Sequence, residues 1–250
     1  MSFFSFWFLF NVVIWTIIFS LIGIIGSIFE WRGRFFGWIG QKWAKTLLKI
    51  ASINYSVHGL ENLRKESNYV FASNHESALD ILLVFAGLPY HIVFISKIEL
   101  KRIPLFGLAM IAGGHFFVDR SNHKKSMESL DKAKDSMEKN PRSIIIYPEG
   151  TRSVDGSILP FKKGGLVMSM NMGVPVVPVA MCGTREAMKK GFKLNKYPLE
   201  LRIGKPIETS KIKYEQRNEF VDEVRNSIIN LKSEWYINNN QNNPNKSVKN

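Results

Sequence analysis

A chain of 250 residues, 45% apolar and 22% charged, has room for one domain with an appendage and is too apolar for wholesale disorder. Its single cysteine, Cys182, excludes an internal disulfide framework and a thiolate zinc cluster. Lys and Arg number 34 against 21 Asp and Glu, and the resulting +13 favours anionic partners: nucleic acid, anionic lipid, phosphorylated substrates or an acidic protein.

Residues 1–29 carry no charged side chain. As a helix they would measure about 40 Å, enough to cross a bilayer. A cleaved signal peptide fits poorly, because no basic residue precedes the stretch, the stretch is too long, and no A-x-A site follows. Spanning the bilayer and lying within one leaflet both stay open. Residues 30–49 mix Phe35, Phe36, Trp38, Ile39, Trp43, Leu47 and Leu48 with Arg32, Arg34, Lys42, Lys45 and Lys49. This reads as an amphipathic helix at an anionic membrane surface, with docking on the soluble domain as the alternative. The basic flank places the rest of the chain on the cytoplasmic face. Residues 1–50 are thus expected to be a membrane-anchoring, membrane-embedded helical pair that supplies no catalytic group.

From Tyr69 the pattern alternates. YVFAS, HIVFIS, HFFVD, SIIIY, VPVVPVAM and PLELRIG read as strands, and the prolines of VPVVPVAM suggest a sheet edge or strand end. Residues 77–87, 104–112, 123–139, 165–172 and 214–235 read as helices, the last with Phe220, Val224, Ile228, Leu231 and Trp235 inward. The expected fold is α/β, a largely parallel sheet flanked by helices over residues 51–237. The Asn-rich tail 238–250 reads as disordered.

Three polar constellations each follow a strand. The first is Asn74-His75-Glu76-Ser77-Ala78-Leu79-Asp80. In a continuous helix, positions five apart do not meet. If His75 lies in the loop before the helix, Asp80 can reach its imidazole, fix the tautomer and stabilise the imidazolium, which makes His75 a candidate general base for a hydroxyl. A helix cap or surface pair is the plainer alternative. The second is Phe116-Phe117-Val118-Asp119-Arg120, where Arg120 stands at the sheet edge and can grip phosphate. The third is Tyr147-Pro148-Glu149-Gly150-Thr151-Arg152-Ser153. There Gly150 permits close backbone approach, Glu149 can accept from substrate hydroxyls, and Arg152 can pair with phosphate; alone, it could be an ordinary polar turn. Neither HExxH, nor a Walker phosphate loop, nor GxSxG is present. Cys182 has no recognisable partner, and His58, His91, His115 and His123 lack an acid at telling spacing.

The order NHESALD, FFVDR, YPEGTRS, VPVVPVA resembles the glycerolipid phosphate acyltransferase superfamily, over roughly residues 57–204. Within it the chain is most similar to members that acylate 1-acyl-sn-glycerol-3-phosphate. Tyr147 stands where the family usually has Phe. The resemblance implies that His75 is the base and Asp80 its orienter. It places Glu149, Gly150, Thr151 and Arg152 in the glycerol-phosphate block, and Arg120 and Lys97 near the phosphate. It further implies a thioester donor, acyl-coenzyme A or acyl carrier protein, as co-substrate, with neither cofactor nor metal. Another lysophospholipid or acylated acceptor is the alternative substrate. A nucleic-acid binder has only the net charge in its favour, since many aromatics sit in the N-terminal segment.

Overall fold

The computed structural model describes residues 2–30, 32–119, 123–189 and 192–241. In chain order the elements are α1 (Phe3–Phe29), α2 (Arg34–Ile50), β1 (Tyr55–His58), β2 (Val70–Ser73), α3 (Leu79–Gly87), β3 (Ile92–Lys97), α4 (Phe106–Ala112), β4 (Phe116–Val118), α5 (His123–Lys139), β5 (Ser143–Ile146), α6 (Gly164–Met172), β6 (Val176–Cys182), α7 (Thr184–Ala187), β7 (Met188–Lys189), β8 (Lys193–Leu194), β9 (Leu199–Ile203) and α8 (Arg217–Gln241). Among the described residues, seven strands form one sheet in the order β1-β9-β6-β2-β5-β3-β4. Every neighbouring pair is parallel except β6 with β9. β7 and β8 form a separate antiparallel pair.

The central strands are continuous apolar runs because helices cover both faces of the sheet. Phe71, Phe94, Ile145, Val177 and Val179 point to one face, where they join the buried residues of α2 and α3. Val70, Ala72, Ile144, Ile146, Val176 and Ala180 point to the other, where α5, α6 and α8 contribute Met137, Leu166, Phe220, Val224, Ile228 and Trp235. Each such large side chain stabilises the fold by roughly 1.5–3 kcal/mol through burial.

α1 inverts this pattern. Apart from Phe8, which joins the core, its buried residues are the small and polar Ser5, Asn11, Ser20 and Gly23, whereas Phe6, Phe10, Val13, Ile17, Leu21 and Ile25 are exposed. Trp43 Nε1 of α2 donates to Thr16 Oγ1 at 3.1 Å. A Cβ on Gly23 would stand 2.6 Å from the Phe36 ring, so the glycine lets α2 approach. By length and composition α1 is apolar enough to cross a membrane.

Three expectations need correction. The apolar stripe of α2 does not lie open to lipid: Ala44, Leu47 and Leu48 are buried within the core that includes α3, although Trp38 stays exposed. VPVVPVAM is no edge or end, since β6 runs between β2 and β9. Val179 faces Ile203 and Val176 faces Ile207, so three steps on β6 oppose four on the partner chain. Pro178 sits within that bulge, where its missing N–H interrupts no regular ladder; its carbonyl accepts from Gly204 N at 2.8 Å. Finally, α8 continues through residue 238 to Gln241, with Asn239 Nδ2 donating to Trp235 O, while residues 242–250 lie outside the described ones.

Candidate active site

β2, β3, β4 and β5 are parallel, so the segments leaving their carboxyl ends gather at one edge of the sheet, where open α/β folds bind ligands. The loop after β2 is rigid. Asn74 hydrogen-bonds the backbone of β6 as a strand residue would, its Nδ2 donating to Met181 O at 2.9 Å and its Oδ1 accepting from Met181 N at 2.8 Å. The same amide donates to Glu76 Oε1 at 2.8 Å. Lys232 reaches from α8 to pair with Glu76 and to donate to Gly156 O at 2.6 Å. Burial pushes the Glu76 carboxyl up, and the Lys232 ammonium opposes that shift.

His75 projects from this loop. Its Nδ1 lies 2.6 Å from Asp80 Oδ2. The same oxygen accepts from the backbone N–H of Glu76 at 2.8 Å and of Ser77 at 2.9 Å. Asp80 is fully buried in the first turn of α3, which makes it a fixed acceptor. A proton on Nδ1 leaves Nε2 as the basic nitrogen. The imidazole stacks on Tyr147, with centroids 4.1 Å apart and planes at 18°. Burial drives the Tyr147 phenol well above its ordinary range, with the Asp80 charge adding to the shift. Its hydroxyl has no hydrogen-bond partner among the described residues.

The loop after β5 is tied to His75. Glu149 Oε1 accepts from His75 N at 2.8 Å and Oε2 from Leu159 N at 2.9 Å. Ser153 N donates back to His75 O at 2.8 Å. Glu149 was expected to meet substrate hydroxyls. It is buried instead, with both oxygens engaged by backbone, and its carboxyl is pushed up by desolvation and held down by those two N–H groups. Its place is under the loops, positioning them. Gly150 adopts φ +73°, closing a turn in which its N–H donates to Tyr147 O. Thr151 and Arg152 are exposed beyond it.

The structure thus brings His75, Asp80, Glu149 and Gly150 together, with Thr151 and Arg152 on the same loop. Lys97 ends β3 at the same edge, exposed and 3.0 Å from Glu99. Arg120, two positions beyond the end of β4, lies outside the described residues. Sequence reasoning missed the Asn74 clamp and the Glu76–Lys232 pair. The signal for the latter was a lysine four positions after Ile228 and three before Trp235, on the inward stripe of α8. Cys182 is buried, its thiol pushed up by desolvation, which keeps the thiolate unformed.

The acyltransferase family model matches residues 54–182. A 1-acyl-sn-glycerol-3-phosphate acyltransferase of Saccharomyces cerevisiae is 31% identical over 201 residues, covering 79% of this chain and 66% of that protein. One from Cocos nucifera is 30% identical over 218 residues, covering 86% and 70%. The chain therefore spans about two thirds of the length of these curated relatives. The crystal structure of the 1-acyl-sn-glycerophosphate acyltransferase of Thermotoga maritima superposes with a TM-score of 0.78 at 26% identity, over 91% of this chain and 94% of that one. The matched segment contains both loops that meet at His75, and the chain belongs to the acyltransferase family.

Proposed function

We propose that this chain transfers a fatty acyl group from an acyl thioester to the 2-hydroxyl of 1-acyl-sn-glycerol-3-phosphate, giving phosphatidate. The observation that carries this reading is the His75 imidazole, held through Nδ1 by a buried carboxylate at the carboxyl edge of the sheet. His75 Nε2 takes the proton of the 2-hydroxyl, and Asp80 stabilises the imidazolium. The oxygen attacks the thioester carbonyl, a tetrahedral oxyanion forms, and the C–S bond breaks. The imidazolium returns its proton to the departing thiolate. No acyl-enzyme forms. Lys97, Arg152 and Arg120 supply cations for the acceptor phosphate, with Gly150 and Thr151 lining its approach.

The surroundings suit an amphiphilic substrate. A narrow apolar cavity of about 140 Å³ lies between α1, α2, α3, α4 and β3, lined by Phe19, Phe36, Trp43, Phe85, Phe94 and Met110. It can take part of an acyl chain. The exposed face of α1, together with Leu108 and Ile111 on the neighbouring α4, offers apolar surface to the bilayer. The basic residues of α2 and its flank support a site at the cytoplasmic leaflet.

The test is product formation by purified protein from labelled oleoyl thioester and a panel of lysolipids. Labelled phosphatidate should dominate and should fall by roughly 10²–10⁴ in His75→Ala. Equal use of lysophosphatidylcholine or of a non-phosphorylated acceptor would remove the proposed acceptor. Undiminished turnover by a folded His75→Ala protein would remove the proposed base.

A further inference from the structure

Residues 147–163, which hold Gly150, Thr151 and Arg152, form neither helix nor strand, so their backbone carbonyls take donors from elsewhere. α8 supplies several. Arg225 Nη2 donates to Ile158 O at 2.7 Å, and its Nε donates to Leu159 O at 3.2 Å. Lys232 Nζ donates to Gly156 O at 2.6 Å and pairs with Glu76. The two cations stand seven positions apart, which is about two turns of helix and therefore one face. Lys232 is buried and Arg225 partly so. Both sets of contacts continue to the base. Leu159 N donates to Glu149 Oε2, and Glu149 Oε1 accepts from His75 N. Glu76 follows His75 in the chain, and its carboxylate also accepts from the amide of Asn74, which precedes His75. Arg225 thus reaches the His75 backbone through Leu159 and Glu149, and Lys232 reaches it through Glu76.

We infer that Arg225 and Lys232 are positioning residues of the acyl transfer, a two-point clamp by which α8 fixes the loop after β5 against the His75 loop. The clamp rests on the acyl-transfer reading above. α8 lies wholly outside the matched segment 54–182, and neither cation belongs to one of the polar constellations that follow the strands. Base and phosphate reader sit on different loops: His75 on the first, Arg152 on the second. The acceptor must bring its hydroxyl to the one while its phosphate meets the other. With both loops tied to one helix, that span is set before substrate arrives. The tolerance is small, since a displacement of about 1 Å can cost roughly 10²-fold in rate.

The experiment compares full-length wild type, Arg225→Ala, Arg225→Lys, Lys232→Met and the Glu76→Gln/Lys232→Gln double variant. Steady-state kcat and KM are measured with labelled oleoyl thioester and lysophosphatidate, at a temperature where circular dichroism shows each protein folded. Arg225→Ala and Lys232→Met should lower kcat by roughly 10- to 100-fold and change the KM of lysophosphatidate by less than about threefold. Arg225→Lys keeps one donor for two carbonyls; it should recover part of the loss, and it stands in for Arg225→Ala if that chain does not fold. The double variant keeps hydrogen-bonding groups without the two buried charges. It should exceed Lys232→Met in kcat, and it carries the test if the single variant does not fold. The deciding measurement adds Arg225→Ala to His75→Ala. Where there is no imidazole to align, the residual rate should fall by less than about twofold further, whereas a general loss of structure would lower it as much as in wild type. That larger fall, or a wild-type kcat in folded Arg225→Ala and Lys232→Met, would overturn the clamp alone, provided His75→Ala by itself is impaired. Normal turnover by His75→Ala would remove the proposed base and the clamp with it.

Discussion

The rings of His75 and Tyr147 are stacked 4.1 Å apart, while the Tyr147 hydroxyl is buried and has no hydrogen-bond partner among the described residues. The ring therefore positions the imidazole and the hydroxyl carries an unmet desolvation cost. Tyr147→Phe should keep activity within about threefold of wild type and raise thermal stability, because it removes an unsatisfied polar group. Tyr147→Ala should cost roughly 3–5 kcal/mol of stability and loosen His75. Steady-state rates and melting curves of the two variants check this. A Phe variant as damaged as the Ala variant would assign the hydroxyl a function that the stack does not explain.

Asp80 Oδ2 holds three donors at once: His75 Nδ1 and the N–H groups of Glu76 and Ser77. Asp80→Asn keeps the shape but loses the charge that would face an imidazolium, and its amide can present N–H instead of an acceptor. The expected loss in kcat is about 10²-fold or more, with a smaller change in the KM of lysophosphatidate. A near-normal kcat would mean that the carboxylate serves the loop alone.

His115 Nδ1 accepts from Phe94 N at 2.9 Å, which requires an unprotonated nitrogen. Burial, with the nearby His91 and Arg142 charges, lowers the His115 imidazole to about 3. Burial and then Arg142 lower His91 to about 4. The unfolded chain takes up these protons near pH 6.5, whereas the folded chain does not. The stability of the neutral histidines is therefore complete above pH 6.5 and is lost as pH falls toward 4. Melting temperature should drop between pH 7 and 5, and less so in His115→Asn, whose amide oxygen can replace the Nδ1 acceptor. A melting temperature flat across that interval would refute the buried neutral pair.

Removing the whole N-terminal pair would strip Ala44, Leu47 and Leu48 from the core, so truncation near residue 51 should yield unstable protein. The informative change lies on the outward face of α1. A triple variant Val13→Ser, Ile17→Ser, Ile25→Ser, all at exposed positions, should fold and should keep activity on a short-chain soluble lysophosphatidate. It should lose binding to anionic vesicles and most activity on vesicle-borne substrate. Undiminished vesicle activity would deny this face a role in lipid delivery.

The helices and the apolar strands were legible in the sequence because each carries its own period or run. The fold-back of Asp80 onto His75 was legible too, since a five-residue spacing works only across a loop-to-helix junction. β1 was not. YSVH is short and half-exposed, and it becomes a strand only by pairing with β9, more than 140 residues away in register with Leu199 and its neighbours. Pro178 misled because a proline excludes a regular ladder, and a bulge is a property of two chains that one sequence segment does not display. Glu149 looked available for substrate because its partners are backbone N–H groups, which any residue could offer.

The link between Lys232 and Glu76 joins positions 156 residues apart. During synthesis, α1 and every strand of the sheet leave the ribosome before the lysine that braces the His75 loop exists outside it. Until then Glu76 is a carboxylate with no ammonium beneath it, and the loop lacks its floor. On the proposed reading, the growing polypeptide meets the bilayer through α1 before it is a competent transferase. Nascent chains stalled short of residue 232 should float with vesicles and yet transfer no acyl group, and competence should appear with α8.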